Sequence, residues 1–355
     1  MPSRVTLERL IGRGRNLTRL RLPNIRSSQD ADVVGHLSAL SDRLNAARGQ
    51  SSGIKVASEI LETYIGSDDG DKKAYFHFLL DEFGRDKDVL VKASADYAAE
   101  PSHDNLQSLT RAMAPKRQEL FKRINMAPGG TRGLVEMRSD LLRFLKVAPE
   151  LKPVDLDFLS LFKTWFNRGF LTMEPISWTS PALVLEHLIE YEAVHEITSW
   201  TDLKNRLDPA DRHCFAFFHP NLTDNPLIFV EVALCDEIPN SIQDILTDDR
   251  DILDEDETKV AAFYSINNCL TGLKGIYFGN FLIKQVVENL RVSHPSLKKF
   301  VTLSPIPGFR AWLSADGRAS LFDLSTYDLG RLNTPGWQQD VDFAARMQGV
   351  LRKAS

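Results

Sequence analysis

Residue types able to do chemistry fall in a few places along the chain. Asp248 to Glu257 is dense in carboxylates, the raw material of a divalent-cation site. An EF-hand loop needs a glycine at its turn and a glutamate at its twelfth position, and this run has neither in place, so it reads as a solvated loop between strands. His213 beside Cys214, with Cys235 on the next strand, supplies metal-ligand types but no closed tetrahedral set, and the cysteines read as packing residues. Ala127-Pro-Gly-Gly-Thr-Arg-Gly133 offers glycines to a phosphate. It lacks the G-K-[ST] ending of a phosphate loop and follows a helical pattern, which makes it an interhelical turn. The histidines are scattered: His187 and His195 read as packing on helical or strand faces, His219 precedes Pro220 at a hairpin corner, and His294 precedes Pro295 at a helix end.

The segment from Phe263 to Gly279, F-Y-S-I-N-N-C-L-T-G-L-K-G-I-Y-F-G, differs in kind. A strand ends near Ser265, a glycine-containing loop follows, and a long helix starts within a few residues. Gly272 and Gly275 let backbone N–H groups approach an anion, the helix N-terminus adds partial positive charge, and Lys274 adds a full one. That is the chemistry of a pyrophosphate site. The same spacing also makes a plain strand-to-helix turn, since an isolated glycine motif is weak.

Two kinds of texture position these residues. Up to about residue 146 the apolar spacing is helical, with Val33, Leu37, Leu40 and Leu44, then Leu106, Leu109 and Met113, then Leu134, Met137, Leu141, Leu142 and Leu145 at i, i+3, i+4 steps. Polar breaks such as Gly66 to Gly70 separate them, and the first half reads as an all-helical bundle. Pro149 and Pro153 then stop the preceding helix and stiffen a connector, which sets a helical domain at 1–148 and a second domain at 149–355. Helical patterns follow at 154–166 and 180–191, the second capped at Ser180 with Leu183, Leu185, Leu188 and Ile189 turned inward. From Arg212 the runs 214–218, 227–234, 260–266 and 300–303 are strands, the first two joined through 219–226, with a helix over 278–290. Strand, strand, strand, helix, strand is a mostly antiparallel α+β arrangement.

Composition bounds the function classes. The chain has 355 residues, 43% hydrophobic and 26% charged, enough for two cored domains and too apolar for a disordered chain. No apolar run reaches the length of roughly 18 residues that reads as a membrane span. With 43 basic and 48 acidic side chains, a net charge of −5 argues against nucleic acid as the main partner. Cys214, Cys235 and Cys269 form no disulfide framework and no C-x-x-C pair. The stretch 4–26 is rich in arginine with Glu8 its one acid, the composition of a transit peptide or a basic arm, or simply of the start of the first domain. Gly12-Arg13-Gly14 lacks the third glycine of a dinucleotide fingerprint.

Several long strings in one order make the chain resemble the malonyl-CoA decarboxylase family. They run from Pro128-Gly-Gly-Thr-Arg-Gly-Leu-Val-Glu-Met-Arg-Ser-Asp-Leu-Leu142 through Trp165-Phe-Asn-Arg-Gly-Phe170, Glu192-Ala-Val-His195, Glu237-Ile-Pro-Asn-Ser-Ile-Gln243 and Phe281-Leu-Ile-Lys284 to Ser304-Pro-Ile-Pro-Gly-Phe309. The resemblance implies an N-terminal helical domain used in homo-oligomer assembly, as a dimer or tetramer, then an α+β domain of the GNAT acyltransferase fold that binds acyl-CoA. It implies decarboxylation of malonyl-CoA to acetyl-CoA and CO2 in fatty-acid metabolism, with no metal and no organic cofactor, because the thioester is itself the electron sink. The family's catalytic serine falls on Ser265. Its substrate-binding string falls on Glu237, Ile238, Pro239, Asn240, Ser241, Ile242 and Gln243, and its pyrophosphate loop on 270–278, with Thr271, Gly272, Lys274 and Gly275. A free serine is a poor base, so an acceptor role for Ser265 needs a partner. The family's catalytic histidine lies in a later N-P-x-x-x-F-H-L segment, and no histidine follows His294 here. The expectation is therefore a chain cut short at its C-terminus, with a sheet edge left open, slow turnover and ready self-association. A GNAT-type acyltransferase and a non-catalytic acyl-CoA-binding or assembly subunit are the alternatives. The compartment implied is the cytoplasm, or the mitochondrial matrix where 4–26 acts as a transit peptide.

Overall fold

The computed structural model describes residues 32–47, 49–276, 279–306, 308–315 and 318–352; the Arg-rich 4–26 stretch lies outside them. The chain divides into two compact units, Met1–Leu161 and Phe162–Ser355.

The described part of the first unit is helical. It holds α1 (Val33–Ala46), α2 (Gln50–Gly66), α3 (Asp69–Asp81), α4 (Lys87–Ala99), α5 (His103–Met113), α6 (Lys116–Asn125), α7 (Gly130–Phe144) and the start of α8 (Lys152–Trp165). Leu37, Leu40 and Leu44 on α1 meet a core of Ile60, Phe76, Leu120, Phe121, Leu134 and Leu141, all essentially without exposure. Each such side chain contributes about 1.5–3 kcal/mol by leaving water. Caps punctuate the bundle: Asp32, Asp68, Asp86 and Ser102 each accept the backbone N–H of the third residue of the following helix. The 127–133 segment is the expected interhelical turn. Gly129 sits at φ 71°, and a Cβ on Gly130 would lie 2.1 Å from the Ile124 carbonyl oxygen. The α5 stripe does not point into a core, however: Leu106 and Met113 are 45% and 55% exposed, and only Ala112 on that helix is buried. The prolines at 149 and 153 make no extended connector either. Pro149 opens a 3-10 turn and Pro153 lies in the first turn of α8, positions where a missing N–H loses no bond.

In the second unit, after α8, come β1 (Thr172–Ile176), α9 (Ala182–Tyr191), α10 (Trp200–Leu207), β2 (Arg212–Phe218), β3 (Ile228–Cys235), α11 (Ile242–Leu246), β4 (Val260–Asn268), α12 (Gly279–Ser293) and β5 (Lys299–Thr302). Three helices, α13 (Phe309–Leu313), α14 (Thr326–Leu332) and α15 (Val341–Arg352), pack around Leu313, Leu324, Phe343 and Met347. The sheet order is β1-β2-β3-β4-β5, antiparallel from β1 to β4, with β5 parallel to β4. The helical bundle followed by a mixed α+β unit is as the sequence predicts. β1 escapes sequence reading because Met173-Glu-Pro175 breaks the apolar alternation. It joins as an edge strand against β2, where a proline is tolerated. Ser180 is not the cap of α9: Pro181 holds that position, and Ser180 Oγ accepts the Ser177 N–H at 3.1 Å. The helix is accordingly turned so that Val184, Leu185 and Leu188 are buried while Leu183 is 43% exposed.

One face of the sheet, with Cys214, Ala216, Phe218, Phe229 and Cys269, packs on α9 and α10. On the same face Ala233, Ala262 and Tyr264 pack on Ile245 of α11. His213 faces the other way and meets His294 at the end of α12, ring centroids 4.7 Å apart.

Candidate active site

β4 is where the second unit departs from a regular sheet. It runs on to Asn268, so Ser265 lies inside the strand and not at its end. β5 accompanies only its first four residues, Val260 to Phe263, and the pairing closes with the Leu303 N–H on the Phe263 carbonyl at 2.8 Å. From Tyr264 to Asn268, β4 has β3 on one side and no strand on the other among the described residues. At the same point the register with β3 slips: Val232 pairs with Phe263 but Glu231 pairs with Ser265, which leaves Tyr264 as the extra residue of a bulge. Side chains alternate along a strand, so Ala262 and Tyr264 face α11 before the slip, and Ser265 and Asn267 face the same side after it. Without the bulge Ser265 would point to the opposite face.

Ser265, with 1% of its surface exposed, enters a closed polar network. Its hydroxyl donates to Glu192 Oε2 at 2.7 Å, and Asn267 Nδ2 donates to that same oxygen at 2.6 Å and to Ser265 Oγ at 2.6 Å. The Ala193 N–H donates to Asn267 Oδ1 at 3.1 Å, which settles the orientation of the amide. Glu192 Oε1 accepts the N–H groups of Val194 and His195 at 2.8 and 2.7 Å. The turn leaving α9 is thus tied to β4 by the Ala193 N–H and by the Glu192 carboxyl, which the next two N–H groups fix in place. Arg206 on α10 holds the same turn from behind: it donates to the carbonyls of His195 and Glu196 at 2.8 and 3.2 Å while paired to Asp202.

Across the ladder from Ser265 stands Glu231, wholly buried, with neither carboxyl oxygen hydrogen-bonded. The nearest cation is Arg206, Nη1 to Oε2 3.5 Å. Burial first, then the neighbouring Glu192, push the Glu231 carboxyl up to about 8, against the pull of Arg206. It therefore keeps its proton at neutral pH. His195 lies beside Tyr264, 6.3 Å between rings, and burial lowers its pKa despite the nearby Glu192.

The other sequence-predicted residues divide between two places. Thr271, Gly272, Lys274 and Gly275 form the turn after β4, with a 3-10 segment Thr271–Leu273 and Gly275 at φ 87°, just ahead of α12. Within 237–243, Ser241 caps α11 by accepting the Gln243 N–H, and Ile242 packs with Ile245 into the cluster containing Tyr264, one residue from Ser265. Glu237, Ile238, Pro239 and Asn240 instead line a cleft of about 280 Å³ at the start of β2 and the end of β3. Asp211, Asp236, Glu237, Asp244 and Asp251 surround it against only Arg212 and Arg250, a charge balance unsuited to phosphates. The Asp248 to Glu257 run is mostly exposed loop. His219 accepts the Asn221 N–H on Nδ1, and its Nε2 lies 3.3 Å from the Trp165 carbonyl, a structural role. Glu192, Asn267 and Glu231 went unassigned in the sequence reading. Glu231 carried a signal, a lone carboxylate within the apolar run Leu227 to Leu234.

Comparison with known proteins identifies the family of the two-part fold. The profile of the malonyl-CoA decarboxylase N-terminal domain matches residues 83–166, and that of the malonyl-CoA decarboxylase C-terminal domain matches 169–355. The crystal structure of malonyl-CoA decarboxylase from Rhodopseudomonas palustris is similar with TM-score 0.83 and 44% identity, covering 89% of this chain and 78% of that one. The Agrobacterium vitis malonyl-CoA decarboxylase structure gives TM-score 0.81 and 47% identity, covering 88% and 77%. Among curated proteins, the mitochondrial malonyl-CoA decarboxylase of Anser anser anser is 36% identical over 302 residues, 80% of this chain and 59% of that protein. The mitochondrial enzyme of Rattus norvegicus is 40% identical over 273 residues, 69% and 55% respectively. The chain thus spans somewhat over half the length of these curated relatives. With profiles of both domains in sequence and relatives alike in fold, the chain belongs to the malonyl-CoA decarboxylase family.

Proposed function

We propose that this chain converts malonyl-CoA to acetyl-CoA and CO2. The observation that carries the reading is the buried Ser265–Glu192–Asn267 network, set where β4 continues past the end of β5. In the reaction the bond between the methylene carbon and the carboxylate breaks, its electron pair moves into the thioester as an enolate, and a proton then adds at carbon. Catalysis needs the breaking bond held perpendicular to the thioester plane and polar groups fixed around the acyl carbons. Ser265 is the hydroxyl that meets the acyl group. The 270–275 turn and the start of α12 hold the pyrophosphate, supported by the left-handed Gly275 and the helix dipole. The 242–246 helix, packed on Tyr264, borders the acyl end.

The test is direct. The chain incubated with malonyl-CoA should yield acetyl-CoA and CO2 in equal amounts, and Ser265→Ala should lower kcat at least about 10²-fold. A change confined to KM would reduce Ser265 to a binding residue. Failure to form acetyl-CoA would remove the reading.

Self-association through the helical unit belongs to the same proposal. It is supported by Val91, Leu106 and Met113, which stand 70%, 45% and 55% exposed on the packed pair α4 and α5. Sedimentation velocity should show a dimer or larger species, which Val91→Glu with Met113→Glu should dissociate. A bacterial-type cytoplasm is the compartment proposed, with the Arg-rich 4–26 stretch as the segment that would direct the chain to a mitochondrial matrix; a reporter fused to 1–31 distinguishes them. Among the described residues no helix is long and apolar enough to cross a membrane.

A further inference from the structure

We propose that Glu192 is the positioning residue of Ser265: it takes the hydroxyl hydrogen, so that Ser265 presents an acceptor, not a donor, to whatever binds beside it. The inference rests on Ser265 meeting the acyl group of a bound thioester.

The geometry assigns every side-chain hydrogen of the cluster and most of its lone pairs. Glu192 accepts four hydrogen bonds, from Ser265, Asn267, Val194 and His195. Asn267 donates to Glu192 and to Ser265, and accepts from Ala193. A hydroxyl has one hydrogen and two lone pairs. The hydrogen of Ser265 is committed to Glu192 and one lone pair to Asn267, which leaves a single lone pair. The hydroxyl cannot turn without breaking a buried bond to a carboxyl group, and partners at 2.6–2.7 Å on both sides hold it in one rotamer. Tyr264 and Glu231, the neighbours on β4 and β3, make no hydrogen bond through their side-chain oxygens that could compete.

The consequence bears on the reaction. An oxygen that can only accept does not bind a departing carboxylate, which is itself only an acceptor. It suits an N–H or O–H donor, and the one the chemistry requires is the acid that must reach the enolate carbon. In the proposed arrangement the free lone pair of Ser265 accepts a hydrogen bond from that donor. Glu192 reaches the reaction through Ser265, while its bonds to Val194 and His195 hold its own turn.

A double-mutant cycle tests this, since a residue acting only through Ser265 adds nothing once the hydroxyl is gone. Glu192→Gln, Ser265→Ala and the double variant of the chain are assayed with malonyl-CoA. Glu192→Gln places an amide N–H where an acceptor stood. It should lower kcat at least about 10-fold with KM nearly unchanged, and the double variant should match Ser265→Ala within about 3-fold. Glu192→Gln with wild-type kcat, or effects that multiply in the double variant, would overturn the proposal. Glu192→Asp, which keeps the carboxyl group but draws back by one methylene, serves in the same cycle if the amide variant does not fold. If the unsubstituted chain makes no acetyl-CoA, the decarboxylase reading fails on its own, and the same four proteins are then judged by thermal melting. Loss of Tm on Glu192→Gln should shrink by at least half in the Ser265→Ala background, and equal losses in both backgrounds would overturn the contact itself.

Discussion

Glu231 is a carboxyl group inside a strand of otherwise apolar residues, and its burial has a pH signature. Its native pKa of about 8 exceeds the ordinary 4.5, so between those values the folded chain keeps a proton that the unfolded chain releases. Stability therefore falls as pH rises through this window and levels off above it, by an amount on the order of 5 kcal/mol at 1.36 kcal/mol per pH unit. Glu231→Gln keeps the shape and removes the ionisation. Melting curves should place the variant near or below the native chain at pH 5 and several degrees above it at pH 8. Parallel curves across that range would mean that Glu231 is ionised when folded. The groups facing it, Glu192, Arg206 and Asp202, are the same in both proteins, so the difference isolates Glu231.

Among the elements, β4 and the turn after it do most of the positioning. The bulge at Tyr264 turns Ser265 and Asn267 toward Glu192, and the strand then ends in a turn whose Gly275 lies at φ 87°. Side chains other than glycine are disfavoured in that left-handed conformation, asparagine least. Gly275→Glu should raise the Kd for CoA at least about 10-fold, a change of about 1.4 kcal/mol. Gly275→Asn, which tolerates the conformation and adds no charge, should stay within about 3-fold of the native affinity. Titration calorimetry with CoA separates the two. Equal weakening by both would trace the effect to backbone strain, and no weakening by either would move the pyrophosphate elsewhere.

At the scale of the whole chain, both cores are apolar with charged groups enclosed in them. Buried ion pairs run through both units: Arg212 meets Asp211 at 3.2 Å in the second, and the helical unit carries two of its own. Arg138 Nε donates to Asp155 Oδ1 at 2.9 Å, with 2% and 1% of their side chains exposed, and Lys152 donates to the other oxygen of Asp155 at 2.6 Å. Arg117 pairs with Asp157 at 2.5 Å in the same way. A buried pair adds little over apolar packing, but removing one member strands the other charge. Arg138→Ala should therefore lower the unfolding free energy by about 3–5 kcal/mol, read by urea denaturation, against well under 1 kcal/mol for the exposed pair partner Glu119→Ala. A small loss for both would mean that water reaches Asp155.

What the sequence by itself determined was a helical part followed by a mixed α+β part, and the identity of the family. The i, i+4 spacing of Leu37, Leu40 and Leu44 and the apolar runs of β2 and β3 are local signals, and local signals survive in one dimension. The glycine turn is a local signal of the same kind, whereas Ser265 was singled out by the family resemblance. The partner of Ser265 was not legible. Glu192 is 73 residues away in sequence from the serine it binds, in a turn whose direction depends on Arg206 holding it against α10. Which face of β4 Ser265 takes was decided by a one-residue slip against β3, and that register exists only in the folded sheet. The 237–243 segment divided for a like reason. Its second half packs on Tyr264 as a helix and its first half opens onto an acidic cleft, because the neighbours that surround each half come from distant β2, β3 and β4.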